Sequence, residues 1–63
     1  MLVLGYKAGA NFVAAPKVIQ KHTGKSLAEA NKLCKDLQIG NMFTLPDDWV
    51  LREDLEELNF IIR

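Results

Sequence analysis

The sequence predicts a small α+β domain, a three-stranded sheet with three helices on one face, in the order β-α-α-β-α-β. Two observations carry that expectation. Short apolar stretches at Met1 to Tyr6, Met42 to Leu45 and Phe60 to Ile62 have strand character, and the segments between them repeat apolar residues at helical spacing behind recognisable caps. Every connection is short, with no repeat, linker or low-complexity stretch. Strands of this length need helices across one face to bury them, which gives a two-layer sandwich.

The first strand, Met1 to Tyr6, leads into Lys7-Ala8-Gly9-Ala10-Asn11, where Gly9 and Asn11 supply turn chemistry. Proline is tolerated only in a first helical turn, so Pro16 places the next helix start near Ala14 to Pro16. That helix runs through Val18, Ile19 and His22, and Gly24 stops it as a left-handed cap. Ser26-Leu27-Ala28-Glu29 is a capping box: the serine oxygen takes one free amide and the glutamate reaches back for another. The second helix therefore begins at Ser26, with Leu27, Ala30, Leu33, Cys34 and Leu37 on one apolar stripe, and ends at Gly40-Asn41. A brief strand at Met42 to Leu45 feeds Pro46-Asp47-Asp48, where proline and acids suit the first turn of a third helix. Trp49, Leu51, Leu55 and Leu58 are assigned to its core face, and Asn59 caps it before the last strand.

A chain of 63 residues holds one domain, residues 1–63, and buries only about 60% of its unfolded surface. The hydrophobic fraction of 49% and charged fraction of 25% are those of a folded globular chain, not of a disordered tail. No apolar run exceeds four residues, against the roughly 20 of a membrane span. Neither a membrane partner nor a signal peptide is expected, and the lone Cys34 fits a reducing, cytoplasmic location.

Net charge is zero, but it is unevenly divided. Residues 1–35 hold six lysines and one acid, Glu29, for +5, and residues 36–63 hold two arginines and seven acids, for −5. Such a chain either presents faces of opposite sign to partners or pairs its own charges across the surface.

The stretch from Ala8 to Asn31 resembles the C-terminal domain of the bacterial large-subunit ribosomal stalk protein. Gly9, Ala10, Asn11, Val13, Ala14, Lys17, Thr23, Gly24, Leu27, Glu29 and Ala30 match that family's pattern. From Gln38 onward only the element order and Leu55-Glu56-Glu57 are similar. The resemblance implies the same β-α-α-β-α-β sandwich and a role in protein recruitment, since the family domain hangs from a flexible linker and engages translational GTPases. It also implies that basic and apolar contacts lie on the first helix and its neighbour. Val13 and Lys17 stand at such contact positions. Phe12, Gln20 and Asn31 replace basic residues of the family, and Pro16 replaces an aliphatic one. With Lys21 and Lys25 added on the same helix and its exit, the resemblance implies a free-standing, divergent relative with a shifted basic surface. A protease-adaptor family shares this fold, but its acidic turn after the first strand is here Ala8-Gly9-Ala10-Asn11, so its amine pocket does not carry over.

Other chemistry is poorly supported. Gly24-Lys25-Ser26 lacks the upstream glycine and preceding strand of a phosphate loop, because Ile19 stands five residues before Gly24. His22 and Cys34 are single residues of their types, whereas a structural zinc site takes four such ligands. Cys34 falls on the apolar stripe as a buried thiol, and His22 is placed near the carbonyls of its helix end. Asp47-Asp48 are explained by the helix dipole, and the acidic run from Glu53 to Glu57 reads as a solvated face. The expectation is a non-enzymatic domain without cofactor or metal, in a bacterial or phage-like cytoplasm. It binds an acidic protein surface, a translation factor by the resemblance, through Phe12, Val13, Lys17, Gln20, Lys21 and Lys25. Phe12 and Val13 form the apolar centre and the lysines steer the partner. The alternative is nucleic-acid binding: the helices flanking Thr23-Gly24-Lys25 imitate a helix-turn-helix, with Ala28, Asn31, Lys32 and Lys35 on the second.

Overall fold

A computed structural model describes residues 1–63. The elements are β1 (Leu2–Tyr6), α1 (Ala14–Thr23), α2 (Leu27–Gln38), β2 (Phe43–Thr44), α3 (Trp49–Glu57) and β3 (Phe60–Ile62), so the α+β order expected from the sequence is the one observed. β1, the longest strand, is central, and β2 and β3 flank it antiparallel.

Register explains which strand residues face the helices. Val3 stands opposite Phe43 on one side and Ile62 on the other, and all three are buried. One residue further the ladder slips: Gly5 pairs with Ile61 and Tyr6 with Phe60, leaving Leu4 as an extra residue in β1. A single inserted residue reverses side-chain parity. Val3 and Tyr6, an odd number of positions apart, therefore lie on the same side of the sheet as Phe60 and Ile62. Tyr6 uses this placement to meet Phe12 edge-on at 4.8 Å between ring centroids, and Phe12 meets Phe60 at 5.1 Å. Edge-to-face contacts of this kind align the positive rim of one ring with the negative face of the next.

The helix boundaries follow local chemistry. Asn11 Oδ1 accepts from the amides of Val13 and Ala14 at 3.1 and 2.9 Å, satisfying free donors at the start of α1. Gly24 ends the helix in the left-handed region at φ 73°, as expected. Ser26 caps α2 by accepting from the Glu29 amide at 3.1 Å. The reciprocal half of the capping box takes another form, in which the Ser26 hydroxyl donates to Glu29 Oε1 at 3.3 Å. Asp48 is the N-cap of α3, its Oδ1 accepting from Val50 and Leu51 at 3.0 and 3.1 Å, so the acid pair precedes the first turn and does not sit inside it. Asn59, at φ 69°, turns the chain from α3 into β3.

The core joins the two layers in one cluster of Val3, Ala15, Ile19, Ala30, Cys34, Leu37, Phe43, Leu45, Leu51, Leu55, Phe60 and Ile62. α1 packs against both other helices, and α3 packs on β3. Of the expected core residues, Leu33 and Leu58 pack against the cluster half-buried, and two lie outside it. Trp49 is 71% exposed and Leu27 41% exposed. Leu51, Leu55 and Leu58 already fill the inward face of α3, and Trp49 stands two residues before Leu51, roughly 200° around the helix from it. Leu27 is the first residue of α2, directly after the Ser26 cap. No helix is long and apolar enough to cross a membrane.

Candidate functional site

The geometry of α1 follows from its wheel. Ala15, Pro16 and Ile19 are buried, Val18 packs against the core, and Val13, Lys17, Gln20 and Lys21 are left on the outer face. Val13, Lys17 and Lys21 recur every four residues and form one outward stripe rising about 6 Å per step. Val13, at the N-cap, is 77% exposed, an unusual position for a β-branched apolar residue in a chain short of core.

Four of the six expected contact residues thus share this face, and two do not. Phe12 is half-buried between Tyr6 and Phe60 and packs against the core, so it is not the exposed apolar centre expected of it. The Phe12 ring lies edge-on to both and closes the core just before α1. Lys25, in the connection between α1 and α2, is half-buried and turns toward α2, where it lines an open groove of about 310 Å³ with Glu29, Lys32, Leu33 and Asp36.

The lysines of the chain are not spent on its acids. None of the six lysines has a carboxylate within 4.0 Å; the ion pairs are Met1 to Asp47, His22 to Asp48 and Asp54, and Arg52 to Glu56. The basic half of the sequence becomes a basic surface of α1 and α2, and the acidic half places Glu53, Glu56 and Glu57 on the outside of α3. At β2 the N-terminal ammonium donates to Leu45 O and Asp47 Oδ1, both at 2.7 Å. That hydrogen bond, reinforced by the ammonium charge, holds the Asp47 carboxyl below its ordinary pKa.

His22 departs from its expected role. It does not bond helix-end carbonyls; its Nε2 lies 3.2 Å from Asp54 Oδ2 and its Nδ1 3.6 Å from Asp48 Oδ2. The ring is mostly enclosed, and no group of three metal-binding side chains is assembled around it or elsewhere. Cys34 is buried in α2 as expected, and its burial pushes the thiol up to about 11. A thiol that holds its proton so firmly is a poor nucleophile at neutral pH.

A second exposed feature was missed by the sequence reading. Trp49, with Met1, Asp47, Asp48 and Arg52, lines an open groove of about 290 Å³ at the start of α3, and Val50 beside it is 54% exposed. Helical spacing contained the signal, since Trp49 lies opposite the Leu51, Leu55 and Leu58 face. No protein-family model, curated protein or solved structure matches this chain.

Proposed function

We propose that this protein is a non-enzymatic interaction module of a bacterial or phage-like cytoplasm that binds an acidic protein surface through α1. The observation carrying this reading is the exposed Val13, Lys17, Lys21 stripe, extended by Gln20, whose lysines have no carboxylate partner of their own. Unpaired lysines steer an oppositely charged partner, and an exposed apolar residue at the end of the stripe gives a contact that can be desolvated. The resemblance of Ala8 to Asn31 to the ribosomal stalk C-terminal domain points the same way, with a translational GTPase as the partner class it suggests.

The test is a nuclease-treated pull-down from bacterial lysate with wild type and Lys17→Glu/Lys21→Glu, followed by association kinetics with the captured protein. The expected result is a discrete protein whose association slows about tenfold or more at low salt in the double variant. An unchanged on-rate sinks the assignment of this face.

A second reading rests on α2, which exposes Ala28, Asn31, Lys32 and Lys35 beyond the Gly24 turn. As a nucleic-acid surface it has lysines for phosphates but no arginine to read guanine. It requires retention that nuclease removes and an affinity that falls steeply with salt.

A further inference from the structure

The outward face of α3 repeats the pattern of α1 with the charge inverted. Trp49, Glu53 and Glu57 stand four residues apart and are exposed, as are Val13, Lys17 and Lys21. Each stripe begins with an exposed apolar residue and continues with two like charges, each step rising about 6 Å. None of the four charged residues has an ion-pair partner within the chain. We propose that a second copy of this chain docks here, the Val13, Lys17, Lys21 stripe of one copy lying antiparallel along the Trp49, Glu53, Glu57 stripe of the other.

Alignment of the two stripes sets Lys17 against Glu53 at the centre, Lys21 over the Trp49 indole at one end and Val13 beside the Glu57 stem at the other. α1 and α3 are antiparallel neighbours: the Asn11 amide before α1 donates to Leu58 O after α3, and His22 in the last turn of α1 meets Asp48 and Asp54. A two-fold axis running between them carries each α1 onto the α3 of the other copy, so both pairings form together and the assembly closes as a dimer. Trp49, which finds no place in the core, is covered by Lys21 of the other copy on either side of that axis, and small domains commonly gain stability by pairing in this way. The dimer occupies the stripe assigned above to an acidic partner, so partner and second copy compete for α1. This inference therefore rests on the same face.

Sedimentation equilibrium over a concentration series, at low and high salt, tests the pairing. Wild type is expected to dimerise at low salt and dissociate as salt rises. Lys17→Glu/Lys21→Glu and Glu53→Lys/Glu57→Lys are each expected to weaken the dimer about tenfold or more, and an equimolar mixture of the two to restore it, since the reversed stripes complement each other. Emission of Trp49, the only tryptophan, is expected to move to shorter wavelength on association. Circular dichroism checks that both variants fold. A wild type that stays monomeric throughout, a dimer indifferent to both reversals, or a mixture that fails to reassociate overturns the proposal. So does a monomer whose Trp49 emission responds only to an added lysine-rich peptide, which assigns the face to a basic partner. The α1 reading fails separately: Glu53→Lys/Glu57→Lys leaves the lysine stripe intact, so an acidic protein captured by that monomer retains the first reading without the second.

Discussion

The Nε2 atom of His22, in the last turn of α1, lies 3.2 Å from Oδ2 of Asp54 in α3. The other ring nitrogen is 3.6 Å from Oδ2 of Asp48, whose Oδ1 caps α3. One imidazole thereby joins the C-terminus of α1 to the cap and the second turn of α3. Removing it leaves two carboxylates facing a gap, so His22→Ala should destabilise the domain by about 1 to 2 kcal/mol. In a chain of this size that lowers the melting temperature by roughly 4 to 8 °C per kcal/mol. A double-mutant cycle with Asp54→Asn should show a coupling of about 0.5 kcal/mol or more, and effects that simply add would refute the bridge.

Burial of Cys34 sets a second expectation. The thiol is raised from 9.0 to about 11, so the folded chain keeps a proton that the unfolded chain gives up between those values. Stability is therefore fully present below pH 9.0 and falls as pH rises toward 11, by up to about 3 kcal/mol if nothing else titrates. Urea titrations of wild type and Cys34→Ala across that window should converge as pH rises, because only the wild type loses this contribution. A constant gap between them contradicts the assignment. At pH 8 the native thiol should react with a disulfide reagent only as fast as the domain opens.

How much of this was legible beforehand depended on whether the cause was local. Gly24, Ser26 and Asn59 act on their own helix ends, and the spacing of Ala30, Cys34 and Leu37 names the inward face of α2 without reference to the rest of the chain. The bulge at Leu4 exists only against β3, so nothing in Met1 to Tyr6 announces that Tyr6 will share a side with Val3. The His22 to Asp54 contact spans 32 positions and needs α1 and α3 side by side. The resemblance puts Phe12 where the family has a basic contact residue, but Asn11 starts the helix so that Val13 points out while Phe12 closes the core.

The turn between α1 and α2 should be limited by backbone conformation and not by space. Gly24 has φ 73°, and a Cβ built there meets nothing within 4 Å. Gly24→Ala should therefore cost about 1 kcal/mol from the left-handed conformation alone, and Gly24→Asn less, since asparagine visits that region more readily. Ser26→Ala, which removes the cap two residues later, should cost a similar amount of about 1 kcal/mol. Equal stability of the glycine, asparagine and alanine forms in denaturant would rule out the conformational account.

Positions two apart on α3 offer the sharpest contrast. Trp49 is 71% exposed, whereas Leu51 is fully buried in the cluster shared with Leu55 and Ile19. Size alone makes Trp49 the natural core residue, and truncating a core tryptophan costs about 3 to 5 kcal/mol. On the observed placement Trp49→Ala should change monomer stability by no more than about 0.5 kcal/mol, measured at a concentration too low for association. Leu51→Ala should cost about 2 to 5 kcal/mol, enough to unfold a domain with so small a margin. Emission of the native monomer should already lie close to that of the denatured chain, because the indole is in water in both. A strongly shifted native emission, or a Trp49→Ala variant as unstable as Leu51→Ala, would return the tryptophan to the core and with it dissolve the apolar end of the α3 stripe.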